Sequence, residues 1–143
     1  MRAHTPGIVD RGRRARRSAG IGALLLIAGF AASTSLHAGT PRLQMYFAAD
    51  FTDQAYQKKT YAKVASSWKR PAETPKEGAK SVVIVRIQRD GAAPDPALHM
   101  MSGSEAWDKA ARDAIHRAAP FDPLPKAYRG SSVEVHFHFE YGK

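Results

Sequence analysis

Near the end of the chain, Val133, Val135, Phe137, Phe139 and Tyr141 alternate with Glu134, His136, His138 and Glu140. Successive side chains of a β-strand point to opposite faces, so this run has one apolar face and one polar face. Such a strand fits a sheet that is buried on one side and wet on the other. The chain contains no cysteine. No disulfide can substitute for a core, and thiol catalysis, zinc–thiolate sites and Cys-linked haem are excluded. The apolar face must therefore be covered by other elements of the same chain.

Two helical segments supply the cover. Thr52 to Trp68 reads as a helix, with Thr52 as the expected N-cap and Asp53 complementing the helix dipole. Tyr61, Val64 and Trp68 fall on one stripe, Tyr56 and Ala65 lie beside it, and Lys58, Lys59 and Lys63 take the other side. Pro71 ends the element, and residues 70–80 read as a loop. Ser102 to Ala119 is the second helix. Ser102 and Glu105 have capping-box spacing, with Ser104 as the alternative cap. Trp107, Ala111, Ala114, Ile115 and Ala118 form its apolar stripe, and Pro120, Pro123 and Pro125 stop it. Between the helices, Ser81 to Gln88 is rich in β-branched residues on both faces, as a central strand should be. Asp90-Gly91 marks a hairpin turn. The return strand, within Ala92 to Met101, holds Pro94 and Pro96, so it should be short, broken or at an edge. The order α-β-β-α-β predicts an α+β fold, a three-stranded antiparallel sheet with two helices packed on one face. The expected core is Tyr61, Val64, Trp68, Trp107, Ala111, Ala114 and Ile115.

The N-terminal part has a different composition. Met1 to Ser18 holds six arginines against one aspartate, and Ala19 to Ala32 is apolar or small throughout. Small and polar residues follow, down to Ala38. A basic region, an apolar region and a small-residue exit make a secretory signal peptide. An uncleaved membrane anchor is the alternative. As a helix the apolar run covers about 21 Å, short of the roughly 30 Å hydrocarbon core unless residues up to Thr40 lengthen it. Residues 1–38 are thus read as signal peptide or anchor, 39–51 as a short linker without clear period, and 52–143 as the folded domain. Both readings export the domain and leave the arginines in the cytoplasm. The formal net charge of +9 drops once the leader is set aside, to sixteen basic against twelve acidic residues of mixed sign. That balance gives little support to nucleic-acid binding, which needs a basic stripe on the folded part.

The ordered set of features resembles the C-terminal domain of the TonB and TolA families. The matching residues are Tyr61, Val64 and Trp68 followed by Pro71, and the Val-rich strand ending Arg89-Asp90-Gly91. Ser102-Gly103, Trp107-Asp108, Ala110-Ala111 and Ala114-Ile115 follow, then Ala119-Pro120-Phe121 through Leu124-Pro125 and the terminal strand. The resemblance covers about residues 52–141. Met101 and Trp107 depart from the usual residues, as do Pro94 and Pro96. The resemblance implies a non-catalytic periplasmic binding module without cofactor, serving TonB-dependent outer-membrane transport and energy transduction. It implies an outer-membrane receptor or other periplasmic segment as partner, with an inner-membrane proton-motive complex behind it. Members carry a long spacer. Here about 13 residues separate Ala38 from Thr52, about 45 Å fully extended, too short to cross a periplasm.

The resemblance places the contact surface on the last strand. Val133, Glu134, Val135, His136, Phe137, His138, Phe139, Glu140 and Tyr141 are expected to dock an extended peptide along a free edge. The same edge would allow a homodimer by strand pairing. An accessory envelope protein that binds a periplasmic partner without transducing energy is the alternative. A metal-binding domain using His136 and His138 stands behind it, although these residues equally suit the wet face of an amphipathic strand. Asp108 and Asp113 are too far round the helix to form a catalytic pair, and Asp108 is expected to pair with Arg112 at i+4. Ser102-Gly103-Ser104 is explained by capping.

Overall fold

The terminal alternation folds as the longest strand of the sheet, and the elements before it are arranged to cover its apolar face. The computed structural model describes residues 39–142; the signal-peptide or anchor reading of residues 1–38 lies outside them. The elements are β1 (Thr40–Phe47), α1 (Gln54–Ser67), β2 (Lys80–Gln88), β3 (Ala97–Met100), α2 (Glu105–Ala118) and β4 (Ser132–Gly142). The class is α+β as expected. The sheet, however, has four strands in the order β1-β4-β2-β3, all antiparallel, instead of three.

The additional strand comes from the segment read as linker. Thr40–Phe47 pairs with β4 over eight consecutive positions, from Thr40 opposite Gly142 to Phe47 opposite Val135. Its Leu43, Met45 and Phe47 pack against the core, while Arg42 and Tyr46 are exposed. Ala48 N–H donates to the Glu134 carbonyl and extends the pairing by one residue.

β2 is central, as its two apolar faces require, with β4 on one side and β3 on the other. Asp90 and Gly91 make the turn after β2, where Gly91 adopts φ 90° and an ideal Cβ would lie 2.0 Å from the Phe121 carbonyl oxygen. β3 is short, and its register slips between Val82 and Val83. Pro94 and Pro96 precede it, since proline cannot donate to a ladder.

Both helices contribute to one core with Val83, Val85 and Ile87 of β2 and Val133, Val135, Phe137 and Phe139 of β4. Trp107 is fully buried at its centre. Its ring meets Trp68 edge-on at 5.3 Å, and its indole N–H donates to the Phe139 carbonyl at 3.0 Å. Burying a large apolar side chain contributes roughly 1.5–3 kcal/mol, so Trp107, Phe137 and Phe139 carry stability that no disulfide supplies. Val64, Trp68, Trp107, Ala111, Ala114 and Ile115 are buried as expected. Tyr61 is not: it is 42% exposed, and Tyr56, 5% exposed, takes its place. Tyr56 wins because its hydroxyl finds the Asp122 carbonyl at 2.8 Å. Burial, then the Asp122 charge, push that hydroxyl up to about 12.

The helix starts differ slightly from expectation. Asp53, one residue after Thr52, caps α1 by accepting from the Tyr56 N–H at 2.8 Å. Ser104 caps α2 through the Trp107 N–H, so the alternative cap is the one used. After α2 the proline tail is bound back onto the β2 turn. Phe121 N–H donates to the Gly91 carbonyl, and the Arg89 guanidinium donates to the carbonyls of Pro125, Tyr128 and Gly130.

Candidate peptide-docking edges

Strand addition needs a row of unpaired backbone N–H and C=O groups. β4 does not offer one. Residues 135–140 are paired along one edge with β1 and along the other with β2, and β2 also takes Val133 and Glu134. The expectation that Val133 to Tyr141 form a free docking edge is therefore corrected, because β1 lies where the partner peptide was placed. Among the described residues two other edges are free: the outer sides of β1 and β3. β3 offers four residues and an irregular register. β1 offers eight in continuous register.

β1 also borders two open hollows that meet at Tyr61 and together form a groove whose other wall is α1. The strand wall presents Leu43 and Met45, and the helix wall presents Tyr61, Ala65 and Trp68. Three cations stand along it: Arg42, Arg70 and Lys58. Arg70 lies 5.4 Å over the Trp68 ring. Trp68 is 7% exposed, and its Nε1 is buried without a hydrogen-bond partner. The periodicity that misplaced Tyr61 in the core does contain the groove: Tyr61, Ala65 and Trp68 follow at i, i+4 and i+7. The missed signal for β1 is the alternation of Leu43, Met45 and Phe47 with Arg42, Gln44 and Tyr46.

The polar face of β4 is an ion-pair network. Glu134 meets His136 Nε2 at 2.9 Å and Arg86 at 3.2 Å. These partners, His136 first, hold the Glu134 carboxyl below the usual range. Glu140 lies 3.5 Å from Arg42 and 4.0 Å from both Lys80 and His138. Burial and then the Lys80 charge push His138 down, while Glu140 opposes them. The Tyr46 ring sits 4.8 Å from the His138 ring. The two histidines thus have carboxylate neighbours of their own. Among the described residues no group of three His, Cys, Asp or Glu side chains is placed to hold a metal ion.

The residues screened for reaction chemistry are engaged in folding. Asp108 does not pair with Arg112. It is 7% exposed and accepts from Ser81 Oγ at 2.5 Å and from the Ser102 N–H at 2.8 Å. Asp113 is on the outer surface with Lys109 and Arg117. Ser104 Oγ caps α2 and donates to Glu73 at 2.9 Å. Among the described residues no helix is long and apolar enough to cross a membrane.

The TonB C-terminal family model matches residues 53–139, from the cap of α1 into the last turns of β4's pairing. The match leaves out β1 entirely. No curated protein and no solved structure matches the chain. With more than half of the sequence covered by the family model and the same two helices and antiparallel sheet in place, the chain belongs to the TonB C-terminal family.

Proposed function

We propose that this chain is a non-catalytic binding module of the bacterial cell envelope, working in the periplasm in TonB-dependent outer-membrane transport. It takes an extended segment of an envelope partner, an outer-membrane receptor foremost, as an added strand. The observation that carries this reading is the free eight-residue edge of β1 beside an open apolar groove, in a domain of the TonB C-terminal family. Backbone pairing supplies affinity without a shaped pocket, and alternate side chains supply selectivity. The test is amide hydrogen exchange of the full-length chain with synthetic peptides covering the periplasm-facing segments of outer-membrane receptors from the same bacterium. Protection of amides on β1 or β3 by at least one segment is expected. Protection by none refutes the reading.

One observation favours an accessory role over long-range transduction. Thr40 is already in the sheet, so β1 absorbs the stretch that would have served as spacer. If the leader is retained as an anchor, the domain is held at the inner membrane with almost no tether. If the leader is cleaved, the domain is free and acts away from any proton-motive complex. Intact-mass measurement of the exported protein separates the two, a retained leader favouring coupling to the inner membrane and a cleaved one the accessory role.

A further inference from the structure

We infer that the groove between β1 and α1 takes an extended peptide segment in which acidic side chains alternate with apolar ones. The inference rests on the strand-addition reading and names the partner's chemistry. A strand laid against the outer edge of β1 continues the pleat, so its side chains alternate between the two faces of the sheet. On the core side they enter the space between Leu43 and Met45 on the strand wall and Tyr61, Ala65 and Trp68 on the helix wall. These walls suit aliphatic side chains. On the opposite face the incoming side chains stand beside Arg42, Gln44 and Tyr46, which alternate with Leu43 and Met45.

Charge selects the polar positions. Arg42 stands on the polar face beside those positions, and Arg70 and Lys58 line the groove side, which holds no carboxylate, so the edge as a whole is cationic. Arg42 reaches Glu140 at 3.5 Å, but Glu140 is shared with Lys80, so one carboxylate faces two permanent cations. Arg70 and Lys58 have no ion pair among the described residues, and both are exposed. An acidic peptide is favoured at this edge and a basic one repelled, which is selection by both attraction and repulsion. Trp68 forms the inner wall of the groove, under the Arg70 guanidinium. Its indole N–H is buried without an acceptor, a state that costs free energy in a finished core.

The experiment uses the full-length chain in detergent, labelled with nitrogen-15, and three end-blocked probe peptides. One alternates Glu with Val, one alternates Lys with Val, and one has the Glu and Val residues of the first in two blocks. Amide signals of residues 40–47 and the two indole N–H signals are followed. Trp107 is bonded to the Phe139 carbonyl, so its indole serves as the internal reference. The alternating Glu peptide is expected to shift the β1 amides and the Trp68 indole, and to weaken markedly at high salt. Arg42→Glu with Arg70→Glu should weaken it by about tenfold or more and improve binding of the Lys peptide. Ala65→Glu, on the helix wall alone, should also abolish binding, with circular dichroism confirming the fold. Should the charge-reversed chain fail to fold, the salt dependence of the parent and Ala65→Glu decide. Equal binding of the Glu and Lys peptides overturns the inference, as does a block peptide that binds as well as the alternating one. Shifts on β3 in place of β1 overturn the groove but leave strand addition standing. Concentration-dependent pairing of the chain with itself, indifferent to all three probes, overturns the peptide occupant in favour of a second copy.

Discussion

Replacing Asp108 by alanine tests whether the carboxylate that resembles a catalytic group is instead a folding device. Asp108 stands on the first turn of α2 and bonds β2 through Ser81 and the loop before the helix through Ser102. Removing the acceptor leaves two donors. An unsatisfied buried donor costs about 1–3 kcal/mol. Ser81 is fully buried and takes the larger penalty, whereas Ser102 is only half-buried and its N–H can be hydrated. The expected loss is about 2–4 kcal/mol. For a domain of roughly 100 residues that lowers Tm by about 10–30 °C. Asp108→Asn keeps a carbonyl acceptor and should cost only about 1 kcal/mol. Adding Ser81→Ala to Asp108→Ala removes one orphan donor, so the double variant should be no less stable than Asp108→Ala alone. Urea denaturation of the parent, the three single variants and the double variant, followed by circular dichroism, measures all of this. Affinity for the alternating Glu peptide should be unchanged wherever the chain is folded. A cost for Asp108→Ala below about 0.5 kcal/mol, or simple additivity with Ser81→Ala, refutes the argument.

A cysteine pair at Gln44 and His138, which face each other across β1 and β4, should close a disulfide, since antiparallel partners lie about 4.5–5.5 Å apart at Cα. Peptide binding at the outer edge of β1 should survive this tether in a titration; loss of binding would mean that the ligand replaces β1 on β4. Gly91→Ala should cost about 3 kcal/mol or more in a denaturation curve, because the new Cβ meets the Phe121 carbonyl at a φ of 90° that L-residues resist. Trp107→Phe should cost about 2–4 kcal/mol, through lost volume and the lost bond to the Phe139 carbonyl. His138 is held below its ordinary value of 6.5 chiefly by burial, so the unfolded chain binds its proton first as pH falls. Its contribution should be fully present above pH 6.5 and be lost as pH drops toward the folded value; His138→Gln should flatten that part of a stability–pH profile, and an unchanged slope would refute the assignment.

The parts of the fold legible in the sequence are those fixed by local rules. The alternation of β4, the two-sided β2, the Asp90-Gly91 turn and the proline-broken β3 all follow from pleat and turn chemistry, and all appear where expected. What local rules miss is which neighbour wins. Tyr56 and Tyr61 both fit a helical stripe, and the choice falls to Tyr56 because Asp122, distant in sequence, offers it an acceptor. Asp108 has Arg112 at the favourable spacing but is drawn inward by Ser81 of β2. β1 is hard to read because an edge strand buries its inner face only partly, and the aromatic Tyr46 on its outer face blurs the binary pattern. The same nonlocality governs the candidate site. The composition of β4 tells which of its faces is buried, but whether its edge is free depends on a segment some ninety positions earlier. The family match begins after that segment, so β1 lies outside the matched residues. By covering β4 it moves the open edge outward to a strand flanked by Arg42, Arg70 and Lys58. The edge available for recognition is therefore set by the least conspicuous stretch of the folded sequence, and its charge gives the peptide titration a sign to test.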